Sequence, residues 1–313
     1  MFTAFLKARP RLRAVLFGLA VCSPCIVVGA TAVFAETPTA VTEARNLIRN
    51  DRLSVEVMGA GPDVILIPGY ASSREVWRAT AERLQATHRV HLVQLAGFAG
   101  EPWTHGDGPV LAPAVDAVAA YVKDAGLRQP AVIGHSMGGL TALLLAQRHP
   151  DAVGRVMAVD NLPFFSALYG PQATPETARP FAAQAAQAML TQDAASMRAA
   201  QTAGAAGLAR DPATRTAMVD WALASDRQAL ATAIAEVMTT DARPGLAAMT
   251  TPVTALYAAD ADGGAPAALA DTMWTREYAS LPGVKLIRVD GSRHFIMADQ
   301  PERFMELVGE FLK

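Results

Sequence analysis

The chain is poor in the residues that would make it a thiol-dependent or disulfide-stapled protein. Its only two cysteines, Cys22 and Cys25, both fall within the first 35 of 313 residues, so the remainder has neither a disulfide nor a thiolate to work with. Aromatic residues make up 6% and charged residues 18%, and the net charge is -2 with no basic run in the body of the chain. That balance argues against nucleic acid as a partner. No cluster of His, Cys, Asp and Glu has metal-ligand spacing, so neither a metal nor an organic cofactor is implied. A hydrophobic share of 51% over this length excludes a disordered or fibrous protein and supports one large domain or a domain with a long insertion.

The first 35 residues stand apart. Lys7, Arg9, Arg11 and Arg13 form a positive head without acidic neighbours, and an apolar stretch runs from Ala14 to about Phe34. Small residues close it at Ala30-Thr31-Ala32-Val33-Phe34-Ala35. This is the layout of a secretory signal peptide at 1–35, with an uncleaved membrane anchor as the alternative. The expectation is a periplasmic or secreted protein with no stable membrane association once the segment is removed. Removal would leave 23 basic against 29 acidic side chains, near -6.

Downstream, a helical stretch is expected around Val41–Arg49, then strands at 53–57, 64–67, 90–95, 131–133 and 155–159 with helices between them. Val64-Ile65-Leu66-Ile67 and Ala131-Val132-Ile133 are apolar throughout, as strands buried on both faces of a parallel sheet must be. From 161 to 250 the alternation stops and Ala-, Gln- and Met-rich helical patterns take over, near 178–190, 194–203, 212–224 and 227–239. Strand and helix signals resume at 253–257. The expected architecture is α/β: a doubly wound, mostly parallel sheet built from 36–160 and 251–313, with an all-helical cap at 161–250 inserted after the sixth strand. About 90 residues is too long for an ordinary connection.

Chemistry concentrates at two places. Gly134-His135-Ser136-Met137-Gly138 matches G-x-S-x-G between an expected strand and an expected helix. A serine hydroxyl becomes a nucleophile when a sharp turn presents it beside a base, and the helix behind it supplies positive potential for an oxyanion. His294 lies in a loop directly after the last strand, where an imidazole can reach that hydroxyl. His135, inside the turn, is expected to pack under the serine. His88, His91 and His149 are read as surface or packed residues, and His105 with Trp103 as a candidate for the pocket mouth.

On these residues, with Ile67-Pro68-Gly69-Tyr70, Val76-Trp77, Arg148-His149-Pro150 and Pro301-Glu302-Arg303-Phe304, the chain resembles the α/β-hydrolase superfamily, in particular its capped, esterase-like members. The resemblance implies that Ser136 is the nucleophile and His294 the base. It also implies an oxyanion hole made by the backbone N–H groups of Met137 and Tyr70, although Pro68 stands where the family often has histidine. Serine at the elbow sets the chain apart from the dehalogenase and epoxide-hydrolase branches, which carry aspartate there. For the acid, Asp260 follows the strand at 253–257 and suits the order Ser, Asp, His; Asp262, two residues on, and Asp160, after the strand ending at Val159, remain as alternatives.

The activity implied is cleavage of an ester-like bond in a small to medium apolar molecule through an acyl-enzyme. Acyl transfer to an alcohol, lactone or carbon–carbon bond hydrolysis on the same residues, and a non-catalytic ligand-binding module, are the alternatives. Phe164, Phe165, Met189, Met197, Met218 and Trp221 are candidates for the pocket wall.

Overall fold

Alternation along the apolar strands sets up two cores at once. The computed structural model describes residues 47–313, and in it Val64 and Leu66 enter one buried cluster while Ile65 and Ile67 enter the other. Period-two side chains on a strand covered on both faces produce this division. The sheet has eight strands: β1 (Leu47–Arg49), β2 (Leu53–Met58), β3 (Asp63–Ile67), β4 (Arg89–Leu95), β5 (Ala131–His135), β6 (Arg155–Val159), β7 (Val253–Ala259) and β8 (Lys285–Asp290). Their order is β1-β2-β4-β3-β5-β6-β7-β8. β1 with β2 and β2 with β4 pair antiparallel; all the other neighbours are parallel.

Helices cover both faces. α1 (Arg78–Leu84), the single turn α10 (Ile296–Asp299) and α11 (Pro301–Phe311) supply Leu84, Ile296, Phe304, Leu307 and Val308 to one cluster, where Trp77 stacks on Phe304 at 5.9 Å between ring centroids. α2 (Leu111–Asp124), α3 (Met137–Arg148) and α9 (Ala267–Glu277) fill the other cluster. The strand order reverses around β3, which has β4 on one side and β5 on the other. In open α/β sheets ligands bind beyond the C-terminal strand ends at such a switch point.

Between β6 and β7 lie α4 (Pro175–Thr191), α5 (Ala194–Leu208), α6 (Pro212–Ala224), α7 (Arg227–Thr239) and the single turn α8 (Arg243–Leu246). Local chemistry starts these helices. Thr174, Asp193, Asp211 and Asp226 each accept a hydrogen bond from a first-turn N–H, and Pro175 and Pro212 occupy the position where a missing N–H costs nothing. The insertion is fastened to the sheet side by backbone as well as side chains. Asp226 N donates to Gly97 O (2.8 Å) and Gly100 N to Ala224 O (3.1 Å). Glu236 accepts from the N–H groups of Val110 (3.0 Å) and Leu111 (2.7 Å) at the start of α2.

One expectation is adjusted. Residues 47–49, expected in a helix, form β1 along the edge of β2, because the exposed Leu47-Ile48-Arg49 pairs with the ladder of Ser54–Glu56. The rest of that helical stretch, the signal peptide at 1–35 and both cysteines lie outside the described residues. Among the described residues no helix is long and apolar enough to cross a membrane.

The Trp77–Phe304 stack joins two ends of the chain across one face of the sheet. Phe304→Ala is expected to cost about 3–5 kcal/mol of unfolding free energy, measured by urea denaturation; a loss under about 1 kcal/mol contradicts the packing.

Candidate active site

Ser136 sits between the last residue of β5 and the first of α3, with φ 53° and ψ -121°. A non-glycine residue in this region is strained, and here the surroundings hold it in place. Ser136 N donates to Val159 O (2.9 Å), and Leu140 N donates to Ser136 O (3.0 Å). Glycine is required on either side: a Cβ at Gly134 would lie 2.1 Å from Gly138 O, and one at Gly138 would lie 2.3 Å from Ile67 O. The turn is thus wedged between β3 and its own helix, and Met137 begins α3 with a first-turn N–H that has no intrahelical acceptor.

His294 follows β8 and donates through Nδ1 to Asp160 Oδ2 at 2.7 Å. Asp160 follows β6 and also has a positive φ, 46°. Its other oxygen accepts from Ala258 N (2.9 Å), and its own N–H donates to Leu256 O (2.8 Å), so β7 fixes the carboxylate from two directions. The neighbouring Asn161 adds to this: Tyr278 Oη donates to its carbonyl (2.9 Å). Its side-chain amide, turned so that the nitrogen faces oxygen, reaches Ser136 O (3.0 Å) and Leu162 O (3.1 Å). Asn161 therefore ties the end of β6 to the serine turn.

His135 lies buried beneath the site. Its Nε2 is 2.9 Å from His294 O, and a carbonyl can only accept, so this nitrogen carries the proton. Burial, with His294 close by, pushes the His135 pKa well below the ordinary value of 6.5, which keeps the ring neutral. Its ring packs 4.5 Å from that of His294 and 4.6 Å from that of Phe295. The expected packing role under the serine is joined by a hydrogen bond that holds the backbone of residue 294. The motif position of His135 was visible in the sequence; its partner was not.

Asp260, expected as the acid, is elsewhere engaged. It is 4% exposed, and its carboxylate accepts from Arg210 Nη1 (2.7 Å), Arg293 Nε (2.8 Å) and Asp262 N (3.1 Å). Two guanidiniums claim both oxygens, so Asp160 takes the imidazole in its place. Asp262 points outward, 3.9 Å from Arg210. Arg293, directly before His294, also donates to Ala206 O and to Asp262 O (3.3 Å). Asp299 completes the tie, accepting from Arg293 N (2.8 Å), Arg210 N (2.7 Å) and Asp211 N (3.1 Å). The loop carrying His294 and the corner between α5 and α6 are thereby joined.

A cavity of about 330 Å³ gathers these parts. Ser136, Met137, Asp160, Asn161 and His294 line it together with Leu140, Leu162, Phe165, Leu168, Leu208, Val237 and Met273. Of the expected wall residues only Phe165 is in that lining. Phe164, Met189, Met197 and Met218 pack into the two cores, and Trp221 is not among the lining residues. Tyr70 is not in the lining either: its phenol donates to Leu230 O in α7 (3.1 Å). The loop that carries it does pass beside the serine, since a Cβ at Gly69 would lie 3.1 Å from Ser136 Cβ. His105 lies away from the cavity, against Asp51 O at 2.9 Å. Among the described residues no group of three or more His, Cys, Asp or Glu side chains is arranged to hold a metal ion.

The model of the Alpha/beta hydrolase family matches residues 64–307, from β3 through α11. The chain belongs to this family. The pimeloyl-[acyl-carrier protein] methyl ester esterase of Vibrio atlanticus is 31% identical over 122 residues, 39% of this chain and 45% of that protein. The protein of the same description from Chromobacterium violaceum is 41% identical over 115 residues, 36% of this chain and 42% of that one. The matched region thus spans under half the length of these curated relatives. Solved structures agree in fold: a hydrolase from Pseudomonas aeruginosa superposes with TM-score 0.71 at 20% identity, covering 86% of this chain and 99% of that one. The enol-lactonase from Burkholderia xenovorans gives 0.68 at 19%, covering 83% and 96%.

Removing the Asp260 charge leaves two guanidiniums facing each other. Asp260→Asn is expected to cost about 2–3 kcal/mol at pH 7, below the ~3–5 kcal/mol of a fully buried pair because Arg210 is 42% exposed. Arg293 in first place holds this carboxyl below its ordinary 3.8, so its contribution is full above that value and disappears as pH falls through the lowered one. Urea unfolding of both proteins at descending pH checks this: the gap should close only below about pH 3.8, and a gap independent of pH would contradict it.

Proposed function

We propose that the protein is a serine hydrolase that cleaves an ester-like bond of a small to medium apolar substrate. The observation that carries this reading is the pairing of His294 with Asp160 in the wall of the same apolar cavity as the strained Ser136. In a neutral imidazole protonated at Nδ1, Nε2 keeps a lone pair and acts as the base. It takes the Ser136 hydroxyl proton as Oγ attacks the carbonyl carbon. The oxyanion is held by the N–H of Met137 at the start of α3 and by an N–H of the 69–71 turn, Tyr70 among them. His294 then passes its proton to the departing alcohol. Water, activated by the same nitrogen, releases the acyl group and restores the serine.

Asp160 takes the role first expected of Asp260: it stabilises the imidazolium and selects the tautomer. The helical insertion serves as the cap, because Phe165, Leu168, Leu208 and Val237 close the cavity over the strand ends. The relatives named as methyl ester esterases support a carboxylic ester with a small alcohol, its bulk on the acyl side. The positive head and apolar run at 1–35 support export to the periplasm or beyond.

Hydrolysis of p-nitrophenyl butanoate tests the reading. Ser136→Ala should abolish turnover. Asp160→Asn should lower kcat by roughly 10⁴, since the amide oxygen that stays on Ala258 N turns the amide nitrogen toward the ring and selects the wrong tautomer. Asp260→Asn should lower kcat less than about tenfold, as it is not in contact with the ring. Equal losses for the two aspartates would refute the assignment, and full activity in Ser136→Ala would refute the reading itself.

A further inference from the structure

The apolar wall of the cavity continues onto the surface. Leu168 and Leu208 line the cavity yet are 46% and 40% exposed, which places them at its mouth. Phe165, a wall residue, meets Tyr169 edge-on with ring centroids 6.3 Å apart. Tyr169 in turn stacks on Phe181 in α4, again at 6.3 Å and with 23° between the ring planes. These two outer rings are 67% and 62% exposed. Scattered surface leucines need no explanation, but a contiguous strip of large apolar groups leading out of a pocket marks a binding surface.

The cavity itself, at about 330 Å³, is near the lower end of the ~300–1,000 Å³ usual for small-molecule sites. An acyl group that outgrows it must leave through the mouth, and the strip begins there.

We infer that Tyr169 and Phe181 form an outer subsite for the distal methylenes of a medium to long acyl chain whose ester carbonyl lies at Ser136. This rests on the serine-hydrolase reading and extends its substrate range to esters with a longer, uncharged hydrocarbon tail. The chain passes Phe165 and Leu168 and lies against the exposed sides of the two stacked rings. Partial cover of three or four methylenes, at about twofold in affinity each, gives roughly an eightfold to sixteenfold preference for tails long enough to reach the strip.

The test is a series of p-nitrophenyl esters, from acetate through octanoate to dodecanoate, with the wild-type protein and the Tyr169→Ser/Phe181→Ser double variant. The ratio of KM for dodecanoate to KM for acetate should rise about eightfold to sixteenfold in the variant. An unchanged ratio overturns the subsite. Calorimetric binding of 2-tridecanone and 2-pentanone to Ser136→Ala protein, with and without the two substitutions, gives the same comparison without turnover. The longer ketone alone should lose affinity. A protein that hydrolyses no ester but shows this selective loss refutes the hydrolase reading and keeps the subsite; equal losses for both ketones refute the subsite. Gel filtration supplies the remaining outcome: a wild-type dimer that the double substitution dissociates, with an unchanged chain-length profile, assigns the rings to a contact between copies and overturns the proposal.

Discussion

One hydrogen bond sets the chemistry that His294 can perform. Its Nδ1 donates to Asp160 Oδ2 at 2.7 Å, and this contact decides which ring nitrogen retains a lone pair. Everything nearby serves to keep the two partners in place. The carboxylate is fixed by Ala258 N, the peptide after it by Tyr278 Oη, and the backbone of the imidazole residue by His135 Nε2. Each of these contacts joins elements that are distant in sequence, so the site exists only when the sheet and its helices are assembled.

That assembly carries strain. Ser136 and Asp160 both occupy positive φ without being glycine, at a cost on the order of 1–3 kcal/mol each. The cost falls at the C-terminal ends of β5 and β6, two adjacent strands whose residues are nearly all buried, where dense packing over-determines the backbone. Gly134 and Gly138 let the helix and β3 close on the serine turn without a clash. A rigid, apolar sheet interior thus supports a strained polar rim, and the insertion adds a second layer through the joint of Asp260, Asp299, Arg210 and Arg293.

Much of this was legible in the sequence where the signal is local. The unbroken apolar runs at 64–67 and 131–133, the glycine spacing around Ser136 and the place of His294 after the last strand are each signals contained within a few residues. The acid was not legible. Asp160 and Asp260 both end a parallel strand, and which one meets the imidazole depends on the partners of the other. Arg293 and Arg210 claim Asp260 from 33 and 50 residues away, and no periodicity encodes that pairing. The pocket wall was misread for a related reason. Methionines at helical spacing suit a core as well as a cavity, and in α5 and α6 the core takes them. Tyr70 follows β3 as the resemblance requires, yet its side chain turns to α7.

The central claim is that Asp160, and not Asp260, holds the Nδ1 proton of His294. Proton and nitrogen magnetic resonance of the protein labelled in its histidine rings reads that proton directly. The account predicts a downfield, slowly exchanging Nδ1–H signal in the wild type and in Asp260→Asn, and its loss in Asp160→Ala. Survival of the signal in Asp160→Ala, or its loss in Asp260→Asn with the fold intact, would contradict the account.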